Sequence, residues 1–414
     1  MAVGAGAQTP LTLAEAQRRA VERSRQLVAQ DAAVTAAREM AVAAGQLPDP
    51  ALKLGVVDLS VNGPTRFSLA RENFTMLQVG LMQELTRAEK LEARAERFER
   101  EADKSIAARA ASVAAIRRDS ALAWLDRYYA EAMAMVVSEQ SRAVRTEIDA
   151  AESVYRAGRG SLADVLATRA VLVGLDDRAS EFARRVSAAT IALARWVGNI
   201  ADAPLAGKPA IDTIRLDPRT LDGDLIHDPQ IAMLVKQEAI AAAEVKVARA
   251  NKKADWSVEL DYFQRGRAYS NFISIGISVP LQWDQKNRQD REVAAKLAML
   301  EQARAEREDM LRAHTAEVRA MIVEWENDRE RRTRYERELL PLATERTQAA
   351  LAAYRGAKAS LTEILLARRN EIDVRLQALQ LEADMARLWA QLNFLFPEGE
   401  GAGHAGAAST KDPL

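Results

Sequence analysis

From residue 87 to about 156 the chain contains no proline. Alanine, arginine, glutamate, leucine and methionine, all good helix formers, dominate that stretch. At ~1.5 Å per residue such a helix would span roughly 105 Å, far more than a globular helix. The stretch 287–354 has the same character apart from Pro341, which is expected to kink it or mark a local unwinding.

The chain also repeats itself. Tyr155-Arg156-Ala157-Gly158-Arg159-Gly160-Ser161-Leu162 returns 199 residues later as Tyr354-Arg355-Gly356-Ala357-Lys358-Ala359-Ser360-Leu361. Val79-Gly80-Leu81 returns as Ile275-Gly276-Ile277, and Leu52-Lys53-Leu54 as Val258-Glu259-Leu260. A repeat of this kind decides the architecture before any single element does. The halves are 11–198 and 229–396, each reading helix, strand, strand, long helix, tip, helix. Strands are expected at about 50–61 and 73–85 in the first half, and at about 254–264 and 271–282 in the second. Pro204, Gly207, Pro209, Pro218, Gly223 and Pro229 mark a connector over 199–228. Residues 1–10 and the Gly-, Ala- and Glu-rich tail 397–414 read as disordered.

After the first tip, Val165, Leu172, Leu175, Ala179, Phe182, Val186, Ala189, Leu193 and Trp196 recur at alternating three- and four-residue steps, the spacing of a coiled coil. Leu361, Leu365, Ile372, Leu379, Ala386 and Leu392 keep a looser version after the second. The return helix 161–198 stacked on the helix 229–253 would match one long helix in height, as would 360–396 stacked on 12–47. Each chain then supplies four columns of about 100 Å, two continuous and two spliced, with the connector near mid-height.

The strands do not read as those of a soluble sheet. Ile273, Ile275, Ile277, Val279 and Leu281 alternate with Ser274, Gly276, Ser278 and Pro280, giving one apolar and one small, polar face. Their lengths suit tilted membrane-spanning strands with aromatics at the ends. A pair of exposed hairpins packed on the helices is the plainer reading, but two hairpins at matching places in a repeat favour the membrane. Four strands cannot close a barrel, for which about eight is the practical minimum. Three chains would give twelve strands, a water-filled bore and a tube of twelve helical columns, so a cyclic homotrimer is expected.

Composition narrows the function classes. Among 414 residues, 58 Lys and Arg balance 59 Asp and Glu, which argues against a basic phosphate-binding face and so against a nucleic-acid partner. The absence of cysteine removes thiolate sites, and His227, His314 and His404 are too scattered for a metal cage. No nucleophile and base pair or phosphate loop emerges, so neither an enzyme nor a cofactor is expected. No apolar run reaches the roughly 18 residues of a transmembrane helix. Ala5-Gly6-Ala7 before Gln8 has the small-x-small form of a signal-peptidase site but no apolar segment precedes it, so a leader is expected to be absent or trimmed.

The tandem halves, the Tyr-Arg tips running into Ala163-Asp164-Val165-Leu166 and Thr362-Glu363-Ile364-Leu365, and Leu47-Pro48-Asp49-Pro50 ahead of the first strand resemble TolC-type outer-membrane efflux channels over about residues 11–397. Gly45 to Pro50, with Ser278-Val279-Pro280-Leu281 leading into Asp284-Gln285-Lys286-Asn287-Arg288, is more similar to the CzcC/CusC heavy-metal branch than to the multidrug branch. The resemblance implies a mainly helical fold with a small β part: a long α-barrel in the periplasm and a shared twelve-stranded β-barrel in outer-membrane lipid. It implies a homotrimer that docks a periplasmic adaptor and an RND-type inner-membrane pump and passively conducts cargo, heavy-metal cations first. A multidrug or type I secretion channel is one alternative, and a soluble coiled-coil scaffold the other.

The resemblance also places acidic gate residues just inside the tips, at Asp164 and Glu363, while a second acidic position of some members falls on Leu366. From spacing alone, Ser161 with Asp164 and Ser360 with Glu363 both fit a capping box, so a purely structural role stays open beside the gate. The tips Gly158, Arg159, Gly160, Ser161 and Leu162, and Ala357, Lys358, Ala359, Ser360 and Leu361, are where an adaptor would dock; an ordinary helical hairpin turn reads the same way. Asn62-Gly63-Pro64 and Arg265-Gly266-Arg267 are expected as exposed turns with solvated arginines. Met133 and Met135 are expected in the core rather than in a metal relay.

Overall fold

The computed structural model describes residues 10–158, 161–356 and 358–396. The expected disordered termini 1–9 and 397–414, together with Arg159, Gly160 and Ala357, lie outside the described residues. In chain order the elements are α1 (Leu13–Arg23), α2 (Arg25–Ala44), β1 (Ala51–Val57), β2 (Met76–Leu85), α3 (Ala88–Arg156), α4 (Leu162–Val197), a one-turn α5 (Leu221–Asp224), α6 (Pro229–Ala250), β3 (Trp256–Gln264), β4 (Phe272–Ser278), α7 (Gln289–Arg334), α8 (Leu340–Arg355) and α9 (Leu361–Asn393). The long helix is unbroken over 69 residues, as its lack of proline and glycine requires. Where 12–47 read as one helix, Ser24 divides it: its backbone is extended (ψ 115°) and its Oγ accepts the amide of Leu27 at 3.3 Å, capping α2. No helix among the described residues is long and apolar enough to cross a membrane.

Pro341 acts as its chemistry demands. It cannot donate to the carbonyl four residues back and its ring crowds that carbonyl. The turn before it, Tyr335–Leu339, opens into a π-helix, with the Leu340 amide donating to Tyr335 five residues back. Pro341 then sits in the first turn of α8, where no donor is needed.

Contacts divide the chain into two compact units that draw on both halves of the repeat. One comprises 29–109 and 230–310, and holds the four-stranded antiparallel sheet in the order β1-β2-β3-β4. Each hairpin comes from one half of the repeat, and the β2 to β3 pairing joins them with Leu81 opposite Leu260. The first hairpin is shorter than the sequence suggested at its loop end, where β1 stops at Val57 because Asp58 takes a left-handed conformation (φ 54°) that turns the chain away; β4 stops at Ser278 rather than near 282.

Register sorts the two faces. Leu52, Leu54, Val79, Leu81, Leu260 and Ile275 lie on one face and are all exposed, Ile275 to 75%. The other face is polar: Lys53 pairs with Glu259, and Gln78 Nε2 donates to Asp261 Oδ1 at 2.7 Å. Gly80 is required there, because a Cβ would run into the Asp261 carboxylate. Both outer strands, β1 and β4, have one edge without a partner strand among the described residues.

The other unit comprises 10–28, 110–229 and 311–396, and its core is helical. The connector is part of that core. Ile211, Leu221 and Leu225 are fully buried with Trp124, Leu193 and Met385. A buried irregular backbone needs partners for its amides and carbonyls, and side chains from distant helices supply them. Trp124 Nε1 donates to the Leu11 carbonyl at 3.0 Å, Trp325 Nε1 to Ile211 at 3.3 Å and Trp389 Nε1 to Thr213 at 2.9 Å. The Arg215 amide donates to Asn393 Oδ1 at 2.9 Å, and Leu11 makes a parallel bridge with Leu205.

His314 of α7 is buried in this unit beside Asp228, with Nε2 3.4 Å from Oδ2 and Nδ1 3.7 Å from Glu317. The adjacent Asp228 carboxylate raises its pKa above the ordinary histidine value against the opposing cost of burial, and Glu317 adds to the rise. A folded-state pKa above the unfolded value of about 6.5 gives stability that is complete below that pH and fades as pH rises through the folded value. Thermal melting points should therefore fall as pH climbs through that window, and His314→Gln should flatten the fall.

Candidate functional site

The two tips lie in the same unit and pack on one another. Ala151 of α3, Val165 of α4, and Leu361, Ile364 and Leu365 of α9 form a buried cluster, with Tyr354 of α8 against it. The sequence seam named Val165, Leu361 and Leu365, but not that they meet.

The tips are built differently. At the first, Gly158 takes φ 71°, a left-handed turn that glycine adopts without strain. Ser161 caps α4: its Oγ accepts the Asp164 amide at 3.1 Å, and the Asp164 carboxylate accepts from the Ser161 hydroxyl at 2.7 Å and amide at 3.4 Å. This is the reciprocal box anticipated from spacing. At the second tip Gly356 has φ −83° and needs no left-handed freedom, while the Lys358 amide donates to Ala353 at 2.8 Å. Ser360 accepts the Glu363 amide at 3.3 Å, but among the described residues the Glu363 carboxylate makes no return bond and is exposed. Asp164 is thus committed to its cap, and Glu363 offers a free charge.

Apolar side chains stand out beside these carboxylates. Leu162, Leu166 and Leu366 are exposed on the first turns of α4 and α9, whereas Leu361 is buried and Ala359 half-buried. Of the expected docking residues, Ser161, Leu162, Lys358 and Ser360 are exposed, and Arg159, Gly160 and Ala357 are not among the described residues.

Sequence reasoning missed the ion pairs behind the tips. Arg368 of α9 reaches Glu147 of α3 at 2.6 Å and Gln140 at 3.4 Å, Arg178 of α4 reaches Asp373 of α9 at 2.9 Å, and Arg169 reaches Glu152 at 2.6 Å. Alternating charge on the helix faces was visible, but not which pairs are drawn out of water. Met133 is buried as expected, whereas Met135 is exposed: two residues on along a helix the side chain points to another face. No group of three or more His, Asp or Glu side chains that could hold a metal occurs among the described residues.

Residues 16–199 match the family described as outer membrane efflux protein. Over that stretch the chain is similar to this family. The match takes in the first tip with Asp164. The fold extends the likeness along the chain: it superposes on CusC with TM-score 0.80 at 16% identity, covering 96% of this chain and 95% of that one. It also superposes on the outer membrane protein VceC from Vibrio cholerae, with TM-score 0.75 at 17% identity over 92% and 95%. For the CmeC outer membrane channel of Campylobacter jejuni the TM-score is 0.72 at 13% identity over 94% and 87%. No curated protein matches the sequence. The chain therefore shares the fold of these channels, mainly helical with four strands among the described residues.

Proposed function

We propose that the protein is an outer-membrane channel: a homotrimer whose three sheets close one twelve-stranded β-barrel. It conducts cargo passively from the periplasm to the exterior. The observation that carries this reading is the sheet, with its exposed apolar face, polar opposite face and two unpaired edges. In water that face and those edges are a liability, whereas in a bilayer the apolar face is solvated and neighbouring copies satisfy the edges. An adaptor docking the tips and an inner-membrane RND-type pump complete the pathway, and the exposed Leu162, Leu166 and Leu366 suit the apolar part of such a contact.

Heavy-metal cations are the proposed cargo, supported by the resemblance of the segments around Pro48 and Pro280 to the heavy-metal branch and by carboxylates near the tips. Asp164 and Glu363 from three chains would bring six acids to one constriction, which attracts cations. Subunit counting by light scattering in detergent, with membrane fractionation, tests the channel: a soluble monomer or dimer would overturn it. For the gate, neutralising both acids should raise conductance or weaken cation preference in planar bilayers. Because the Asp164 carboxylate is held in its cap, Glu363→Gln should carry most of the change. Unchanged current and selectivity would leave Asp164 as a helix cap and Glu363 as a solvated first-turn acid.

A further inference from the structure

The loops at the end of the sheet away from the helices, 58–75 and 265–271, hold one another in place. Arg265 Nη1 donates to the Asn73 carbonyl at 3.0 Å and its Nε to Ser270 at 2.9 Å, while its guanidinium stacks 4.4 Å over the Phe272 ring. Gly266 packs so closely on the Ala70 carbonyl that no Cβ would fit. Thr65 Oγ1 donates to Glu72 at 2.7 Å and the Phe67 amide to Ser60 at 2.7 Å. Arg265, expected to be merely solvated, is the clasp between the loops.

What this clasp displays is unusual for a wet loop. Val61, Phe67, Leu69 and Phe74 are 68%, 65%, 50% and 66% exposed. Phe67 is held at φ 56°, a costly conformation for a bulky residue and one that clusters where function demands it. Among the same residues, Arg66, Arg71 and Arg267 have exposed side chains and no carboxylate partner among the described residues, since Glu72 is occupied by Thr65 and the Asn73 amide. Apolar side chains beside free guanidiniums match a ligand with acyl chains and a phosphate, which arginine grips with paired hydrogen bonds.

We propose that these loops form a docking surface for a lipid carrying phosphate monoesters on its headgroup. The inference rests on the channel reading, which puts this end of the sheet at a bilayer surface; the apolar sheet face continues to it through Val56 and Leu77. Phe67, Leu69 and Phe74 enter the acyl boundary, and Arg66, Arg71 and Arg267 neutralise the phosphate.

The test is native mass spectrometry of the detergent-solubilised full chain with phosphatidic acid and, as contrast, diacylglycerol. Insertion into phosphatidylcholine vesicles is followed in parallel. Wild type should hold phosphatidic acid roughly tenfold or more tightly than the variant Arg66→Gln, Arg71→Gln, Arg267→Gln, with both binding diacylglycerol alike. Phe67→Ala should weaken both lipids together. Equal retention of phosphatidic acid by wild type and the triple variant, with insertion intact, overturns the docking surface and leaves the channel standing. Failure of wild type to insert overturns both.

Discussion

Trp124→Ala is expected to lower the stability of the helical unit by about 3–5 kcal/mol, the range for deleting a fully buried aromatic. Trp124 is 1% exposed, stacks on Tyr128 with ring centroids 5.4 Å apart, and donates to the carbonyl of Leu11, itself paired with Leu205 of the connector. Removing the indole therefore opens a cavity and also takes one of two donors from the Leu11 carbonyl, which keeps the Ala206 amide at 3.1 Å. Trp124→Phe separates the two effects: it keeps most of the packing and should cost about 1 kcal/mol for the lost hydrogen bond plus a smaller cavity term. Denaturant titration followed by circular dichroism gives both numbers, and equal costs for the two variants would show that the hydrogen bond to Leu11, not the packing, dominates.

Arg368→Met should cost about 3 kcal/mol, the low end of the cost of breaking a buried ion pair, because Arg368 and Glu147 keep 16% and 13% of their side-chain exposure. Most of that cost is the carboxylate left behind. Pairing the change with Glu147→Gln should recover the larger part, which a double-mutant cycle measures directly. The same substitution should loosen the junction of α9 with α3 behind the tips, so hydrogen exchange there should quicken in the single variant and return towards wild type in the double one.

These two sites mark the boundary of what the residues disclosed. Local chemistry was legible: the Ser161 and Asp164 box depends on a three-residue spacing, the π-turn on the donor that Pro341 lacks, and the two sheet faces on alternation. Long-range pairing was not. Trp124 meets Leu11, Trp325 meets Ile211 and Arg368 meets Glu147 across more than 100 residues of chain, and nothing in the periodicity of either partner points to the other. The connector shows this most clearly. Its prolines and glycines read as a link between halves, yet Ile211, Leu221 and Leu225 make it core, because two indoles and an asparagine supply hydrogen bonds to its irregular backbone. Spacing likewise fitted a capping box at both tips, but only the first closes it, the Asp164 carboxylate folding back on Ser161 where that of Glu363 does not fold back on Ser360.

The unpaired outer edges of β1 and β4 carry a consequence for the newly made protein. A lone chain cannot enter a bilayer part-way, because each open edge would drag bare amides and carbonyls into hydrocarbon. In the channel proposed above, a chain crossing the periplasm would offer sticky strands to every other unfinished barrel. For such a channel, birth of the pore and counting of its subunits would be a single act, so that cells making too little of the protein would hold neither half-channels nor spare monomers, only escorted chains and waste.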